Sequence, residues 1–364
     1  MRLSDEVCRH ARALIASRLG LDFPEARQAD LERGLIRACR NSSALSAETY
    51  LAWLATLPDQ SLEWRRLAGH LTVGETYFFR DRALFEALEQ QVLPSLIAAR
   101  RSAGILRLRL WSAGCATGEE PYSLAILLDR LLPDRSNWAL TILATDINPA
   151  ALEAAQQGCY REWSFRQTPD WIRDRYFRSR EGNIFELVPR IRGMVTVAPL
   201  NLAEDGYPAV VTNTSAMDLI LCRNVLMYFT REAQRAALAR LTKALVPRGW
   251  LAVSPAEAST ELVRPLVPDN FPGATLYRKE PASGGTLVTQ AEAVSPDLLP
   301  DPPVLLPFVP TPAGLGPQES PITSPSQEQA KARPDAATDL QRARILADQG
   351  RLEEGRRRCE AALV

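Results

Sequence analysis

The hydrophobic pattern between Leu106 and Leu132 changes period within one short stretch. Leu106-Arg-Leu-Arg-Leu110 alternates apolar and basic and turns apolar at Trp111, as a strand entering a sheet does. Gly114 and Gly118 bracket a loop of small residues, and Pro121 follows Glu119 and Glu120. Proline suits the first turn of a helix, where its missing N–H costs nothing, and Ser123–Leu132 continues as an apolar helix. Strand, glycine turn and helix form the opening of a nucleotide-binding α/β unit. The same alternation recurs downstream. Trp138–Asp146 is a second buried strand, with Asn148 and Pro149 opening a helix. Met194–Ala198 is a third, closed by Pro199–Leu202. Met217–Phe229 carries a fourth, which leaves the sheet as Arg223-Asn224 and then gives Tyr228. Thr230 caps a helix to Leu245, Pro247–Gly249 turns it, Gly249–Ser254 is a fifth strand and Ala274–Lys279 the last.

Before this unit the pattern is helical. Val7, Ala11, Leu14, Ile15 and Leu19 share one face that Gly20 ends. Leu31, Leu35 and Ile36 begin a second stripe, Tyr50–Leu54 a third, and Trp64, Leu67 and Leu71 a fourth. Thr72–Asp81, with a glycine and adjacent phenylalanines before Arg80, breaks the helical spacing and reads as a junction loop or as a loop that closes over a ligand. Ala83–Ala99 resumes a helix. Residues 158–194 crowd aromatics among arginines around the turn Glu181-Gly-Asn183, which predicts a small excursion with at least one hairpin. From Pro281 to Pro334 the chain holds 12 of its 27 prolines and one aromatic, Phe308, the composition of a disordered linker. Ala343, Leu346, Gly350, Gly355, Cys359 and Ala362 then have the small and large spacing of one tetratricopeptide helix pair. The expected boundaries are a helical domain at 1–75, an α/β domain at 76–280 with 158–194 inserted, a linker at 281–334 and a helical tail at 335–364.

Composition narrows the classes. At 364 residues the chain has room for two or more domains, and its 46% hydrophobic and 24% charged content is that of a globular protein. Lys+Arg and Asp+Glu balance at 43 each, so charge does not point to nucleic acid or to a membrane surface. Six cysteines without CxxC pairs read as reduced thiols of a cytoplasmic chain. Two histidines, His10 and His70, make a histidine-based metal site improbable, and no metal ligand is assigned. The first residues lack the apolar core of a signal peptide, and no apolar run reaches the length of a membrane span.

The glycine turn is not G-x-G-x-x-G, and it is followed by Glu119 and Glu120. Two carboxylates there would repel a pyrophosphate, and suit a cation or the hydroxyls of a nucleoside without phosphate. S-adenosylmethionine, a nucleoside bearing a sulfonium, is such a ligand, although an ordinary βα turn has the same pattern. Asp146, at the tip of the second strand, is placed for ribose hydroxyls or to cap the helix at Pro149, and one carboxylate could do both. Asp146, Asn201, Arg223 and Asn224 all fall at strand carboxyl ends, where ligands sit in a doubly wound sheet.

With these pieces placed, residues 1–280 resemble the chemotaxis-receptor glutamate O-methyltransferases, the CheR family. Five motifs in order carry the resemblance: Thr76-Tyr-Phe-Phe-Arg80, Trp111–Ser123, Ala144-Thr-Asp-Ile-Asn148, Asn201-Leu202 and Cys222-Arg-Asn-Val-Leu-Met-Tyr-Phe229. The resemblance implies a Rossmann-like S-adenosylmethionine methyltransferase sheet with a small antiparallel β-subdomain, preceded by an all-α domain. It implies that Thr76, Arg80, Glu120, Asp146, Asn201, Leu202, Arg223 and Asn224 line the cofactor site, with Arg80 and Tyr228 beside the transferable methyl. Some members carry Asn where this chain has Gly74, which implies contact with cofactor only through its backbone. S-adenosylhomocysteine is the implied product and a methyl-accepting chemoreceptor the implied partner. Members that dock on a receptor's C-terminal pentapeptide have a longer loop than the one at Arg180-Glu181, so docking independent of that peptide is expected. The linker and tail are similar to members with tetratricopeptide extensions, whose tail would engage a protein partner.

The residues suit this chemistry on their own account. A glutamate side chain with a pKa near ~4.3 is already ionised at neutral pH and needs no general base, in keeping with the scarcity of histidine. Two other readings stand beside it: a methyltransferase of a small molecule or RNA, and a signalling scaffold with a vestigial cofactor site.

Overall fold

The structure is a computed structural model that describes residues 3–42, 44, 46–258 and 263–281. The linker and tail expected at 281–334 and 335–364 lie outside these residues, apart from Pro281. Four helices open the chain: α1 (Asp5–Leu19), α2 (Gln28–Asn41), α3 (Ala47–Thr56) and α4 (Leu62–Leu71). Their starts and stops follow local chemistry. Ser4, Ser46 and Ser61 each accept a backbone N–H of the first turn of α1, α3 and α4, and Gly20 ends α1 in the left-handed region at φ 68°. A longer helical stretch follows as α5 (Arg82–Ala87), a π-helical turn at Leu88–Val92, and α6 (Leu93–Ser102).

The chain then builds a seven-stranded sheet. Its strands are β1 (Arg107–Ala113), β2 (Ala139–Asp146), β6 (Val195–Pro199), β7 (Met217–Leu221), β8 (Leu245–Ala252), β9 (Val267–Phe271) and β10 (Ala274–Arg278), in the order β6-β2-β1-β7-β8-β10-β9. The first five are parallel, and β10 and β9 close the edge antiparallel. The connecting helices are α7 (Glu119–Leu131) after β1, α8 (Pro149–Gln157) after β2 and α11 (Arg231–Ala244) after β7. From β1 the order runs outward to β2 and β6, then returns across β1 to β7. The crevice at that reversal, outside the strand carboxyl ends, is where such sheets bind ligands. Between α8 and β6 lies the excursion: β3 (Cys159–Arg161), β4 (Phe177–Arg180) and β5 (Ile184–Leu187) form a separate antiparallel sheet, with α9 (Asp170–Tyr176) before β4 and α10 (Pro189–Arg192) after β5.

Two expectations need adjustment. Strand β8 begins at Leu245, ahead of the turn expected at 247–249; Arg248 takes φ 64° and the register against β7 shifts, so the turn is a kink within the strand. Strand β9, Val267-Pro-Asp-Asn-Phe271, was not expected from the sequence, because proline and two turn-forming residues demote a strand. An edge position tolerates them.

Each sheet face has its own core. Trp111, Leu143, Met217 and Ile220 meet α11 and the buried stripes of α1–α4 in one continuous cluster. Leu108, Leu110, Ile142 and Leu219 meet α5–α7 and the aromatics of the small sheet in another. The arginine-rich segment 158–194 is thereby explained. Phe78, Tyr160, Phe165 and Phe177 pack edge to face or stacked at 4.8–6.3 Å. Outside them, Arg173, Arg180, Arg190 and Arg192 pair with Asp170, Glu186, Asp129 and Glu186. This is a packed excursion in which part of the arginine charge is paired at the surface.

Asp218 on β7 is 2% exposed; it pairs with Arg100 of α6 and accepts the Arg109 N–H at 2.8 Å. Removing one partner of a buried pair strands a charge, at about 3–5 kcal/mol, whereas exposed pairs contribute about 0–1 kcal/mol. Denaturant unfolding of Arg100→Met is therefore expected to show a loss of about 3 kcal/mol or more. Arg101→Met, which breaks the exposed pair with Asp134, is expected to cost under about 1 kcal/mol.

Candidate active site

A cavity with about 950 Å³ of empty space, open mouth included, lies at the reversal point. Its walls include the ten residues assigned by the resemblance: Gly74, Thr76, Arg80, Glu120, Asp146, Asn201, Leu202, Arg223, Asn224 and Tyr228; Glu119, read with Glu120 as a carboxylate for the ligand, is not among them and accepts the Thr117 and Ser164 hydroxyls instead. These come from five segments spread over more than 150 positions, and the fold brings them together.

The floor is the turn after β1. Gly114 and Cys115 both donate to Thr145 O, at 2.7 and 2.9 Å, which ties the tips of β1 and β2. Gly114 takes φ 85°, and a Cβ there would meet Val225 Cγ2 at 2.3 Å, so only glycine lets the loop after β7 close on the turn. Asp146 Oδ2 accepts the Ala116 N–H and Oδ1 the Asn148 N–H, each at 2.9 Å. Helix α8 is capped instead by Asn148, whose Oδ1 accepts from Ala150 and Ala151. Of the two roles open to Asp146 in the sequence, capping is therefore taken by its neighbour. Burial pushes the Asp146 carboxyl above its ordinary value, partly offset by those backbone N–H groups.

The second wall is a buried charge network. Arg223, with its side chain 4% exposed, donates to Asp81 Oδ2 at 2.9 Å, to the Arg80 carbonyl at 3.0 Å and to Glu120 Oε2 at 3.4 Å. Glu120 Oε1 accepts the Ser112 hydroxyl at 2.7 Å. Burial raises the Glu120 carboxyl, and Arg223 is the main opposing influence. Arg223 thus joins α7, the tip of β7 and the Arg80 loop, with both terminal nitrogens engaged by protein.

The loop carrying Thr76 and Arg80 is bolted on both sides. Phe78 donates its N–H to Ser164 O and accepts Thr168 Oγ1 on its carbonyl, while Phe79 N–H donates to Ser123 Oγ at 3.0 Å. Arg80 Nη1 donates to Glu75 O at 2.8 Å, and its guanidinium lies 5.9 Å from the Tyr77 ring. Arg166, from the small-sheet segment, stacks between Tyr77 and Trp163 at 3.8 and 4.4 Å and pairs with Glu75. Four non-glycine residues at or beside the cavity take positive φ: Phe79, Asp81, Ala116 and Asn224. Such a cluster marks a site whose backbone is held by its surroundings.

The helical segment supplies the remaining wall through Leu19, Leu21 and Thr72–Glu75. Leu21 bridges Phe229, the Asp22 N–H donates to Tyr228 O at 2.8 Å, and the Thr230 N–H donates to Gly20 O. Asn201 reaches the cavity, but its amide is occupied: Nδ2 donates to Arg18 O and Glu204, and Oδ1 accepts the Ala203 N–H. Glu257 was missed by sequence reasoning. Buried to 7% exposure, it accepts backbone N–H groups from Asn224, Val225 and Met227. Its only sequence signal is its place just after a strand, in Ser254-Pro-Ala-Glu257.

Residues 74–265, more than half of the chain, match the family model described as CheR methyltransferase, SAM binding domain. The chain belongs to the CheR methyltransferase family. It is 36% identical to chemotaxis protein methyltransferase 1 of Pseudomonas aeruginosa over 55% of this chain and 70% of that protein. It is 31% identical to a probable chemotaxis protein methyltransferase of Rhizobium etli, over 73% of this chain and 96% of that one. A probable biofilm formation methyltransferase of Pseudomonas aeruginosa, WspC, is 31% identical over 96% of this chain and 81% of its own length. The protein is an S-adenosylmethionine-dependent methyltransferase. The cavity fits that cofactor: it offers three carboxylates, Glu75, Glu120 and Asp146, and a tight glycine floor, against two arginines of which Arg223 is engaged by protein acceptors. Among the described residues no group of side chains suits a metal ion, and no helix is long and apolar enough to cross a membrane.

Were Asp146 to take ribose hydroxyls, its ionised carboxylate would offer both oxygens as acceptors and its protonated form fewer. Because burial raises its pKa, acidification should weaken cofactor binding at a pH above the ordinary aspartate range. Calorimetry between pH 7 and about pH 4 is expected to show falling affinity for wild type. Asp146→Asn is expected to bind more weakly at pH 7, by roughly 1.5–3 kcal/mol for a lost charged acceptor, with a flatter pH dependence.

Proposed function

We propose that this CheR-family chain transfers methyl groups to glutamate side chains of a chemoreceptor-like signalling protein in the cytoplasm, adapting its signal by forming methyl esters. What carries the reading is that Arg80 and Tyr228 line the same cavity as Asp146 and Glu120, with no histidine among the lining residues. When bound, S-adenosylmethionine supplies an electrophilic methyl on a sulfonium. A glutamate carboxylate is already the nucleophile at neutral pH, so the chain's residues need only bind, orient and exclude water.

In this reading Asp146 takes the ribose hydroxyls. Gly74, Thr76, Asn201 and Leu202 shape the walls around the cofactor, and Gly74 contributes only backbone. Glu120 faces the cationic end, while Arg223 keeps that carboxylate ionised and the Arg80 loop in place. Asn224 closes the β7 side. Arg80, anchored by one Nη on the Glu75 carbonyl, steers the incoming carboxylate with the rest of its fork. Its hold has to be light, since a tight ion pair would blunt the nucleophile. Tyr228 bounds the approach to the methyl. The catalytic fold is assigned to residues 1–280, as a helical domain to 75 and a methyltransferase domain with its 158–194 insertion. The tail is assigned to engaging a protein partner.

Names among the relatives support a chemosensory setting. One observation favours an output other than motility: the biofilm methyltransferase matches 96% of this chain, whereas the Rhizobium etli protein matches 73%. A receptor of a biofilm-forming pathway is therefore the second reading of the substrate.

The deciding experiment incubates the protein with radiolabelled cofactor and receptor cytoplasmic domains of the same organism. Label released by mild base as methanol identifies an ester; base-stable label would point to N-methylation and overturn the reading. Arg80→Ala is expected to keep its fold and lose roughly ten- to a hundredfold in turnover, the scale of one charged contact.

The hairpin between β4 and β5 turns through Glu181–Asn183 alone, with Gly182 and Asn183 at positive φ. So short a turn supports docking without a receptor's C-terminal pentapeptide. The free pentapeptide is expected to show no micromolar binding in calorimetry against the full chain; measurable binding would remove this part of the proposal.

A further inference from the structure

The loop after β7 carries Asn224, Val225 and Tyr228 into the cavity, yet nothing in its own sequence fixes its shape. Asn224 takes φ 58° and Val225 takes φ −120°, ψ −52°. Successive residues of opposite hand turn their N–H groups to the same side and form a concave nest for an anion. The anion here is internal. Glu257 Oε1 accepts from Val225 N at 2.6 Å and Met227 N at 3.2 Å, and Oε2 from Asn224 N at 2.8 Å. Oε2 also accepts from Ser254 N at 3.0 Å and from the Ser254 hydroxyl at 2.5 Å. Five donors thus converge on one buried carboxylate that no cation among the described salt bridges neutralises.

We infer that Glu257 is a positioning residue for the methyl-transfer site: its carboxylate fills the nest and thereby sets the conformation in which Asn224 and Tyr228 face the cavity. The alternative, that Glu257 merely braces β8, does not account for three of its five donors belonging to the loop after β7. The carboxylate is also matched to the task. Every partner is a donor, so both oxygens must accept, and an amide would set its own N–H₂ against N–H groups. Gln234 secures the same loop from the other side, donating to the carbonyls of Leu226 and Phe229 at 2.8 and 3.3 Å. Glu257 on the N–H groups and Gln234 on the carbonyls leave the loop little freedom.

The inference rests on the proposed roles of Asn224 and Tyr228, and its test needs no methyl acceptor. S-adenosylmethionine binding to the full chain is measured by calorimetry for wild type, Glu257→Gln, Asn224→Ala and the double variant. Glu257→Gln is expected to weaken binding by roughly ten- to a hundredfold, the scale of stranding buried donors, with stoichiometry unchanged per folded molecule. The double variant is expected to be little weaker than the worse single variant, because both changes act through one loop. Wild-type affinity in folded Glu257→Gln would overturn the assignment, as would losses that multiply in the double variant. If Glu257→Gln fails to fold, Glu257→Asp runs the same cycle. It keeps the charge but withdraws it by one methylene, and the same outcomes decide. A merely bracing role would lower the melting temperature or the folded fraction while leaving the affinity of folded molecules intact. Failure of the glutamate reading would show in the methanol-release assay and leave these affinities untouched.

Discussion

Arg223 carries a full charge into a place where its side chain is 4% exposed, and the arrangement of the site follows from what that charge requires. A guanidinium out of water must find acceptors in a planar fork, and stranding it costs several kcal/mol. The three acceptors come from two places: Asp81 and the Arg80 carbonyl on the loop before α5, and Glu120 in the first turn of α7. Satisfying one side chain therefore draws a junction loop, a helix start and a strand tip toward a common point. Glu120 gains the countercharge that its burial demands, and Ser112 completes its shell from β1. Strong local coupling of this kind makes a bistable or a rigid unit, not a gradually deformable one.

Around that hub the backbone is held in conformations it would not choose. Phe79, Asp81, Ala116 and Asn224 lie in the left-handed region without being glycine. Each such residue stores of order 1–3 kcal/mol when it is not otherwise favoured. The bonds that hold them are specific: Ser123 and Ser164 on the Phe78–Phe79 backbone, Asp146 on the Ala116 N–H, Glu257 on the Asn224 N–H. The core supplies the remainder, two apolar clusters pressed on opposite faces of one sheet. A cavity assembled this way is preformed, which lowers the ordering cost of binding.

Much of this was legible in the chain. The period change at Trp111, the glycine bracket and the acid at the tip of the second strand placed the crevice. The residues named from the sequence then converge on one cavity because chain order and sheet order are linked by right-handed crossovers. What could not be read was long-range pairing. Nothing in Ser254-Pro-Ala-Glu257 says that its carboxylate reaches a loop some 30 positions earlier, or that the Asn201 amide turns toward Arg18. Edge strand β9 was hidden by Pro268 and Asn270, which only an edge position accommodates. The capping of α8 by Asn148 in place of Asp146 was a choice between neighbours that only coordinates decide.

The stack of Trp163, Arg166 and Tyr77 has a thermodynamic meaning beyond packing. Trp163 is 66% exposed, yet only the Arg166 guanidinium and the Tyr77 ring separate it from the Arg80 guanidinium. Linkage between two such places is reciprocal: whatever factor a molecule gripping the small sheet applies to cofactor affinity, the cofactor applies to that molecule's affinity.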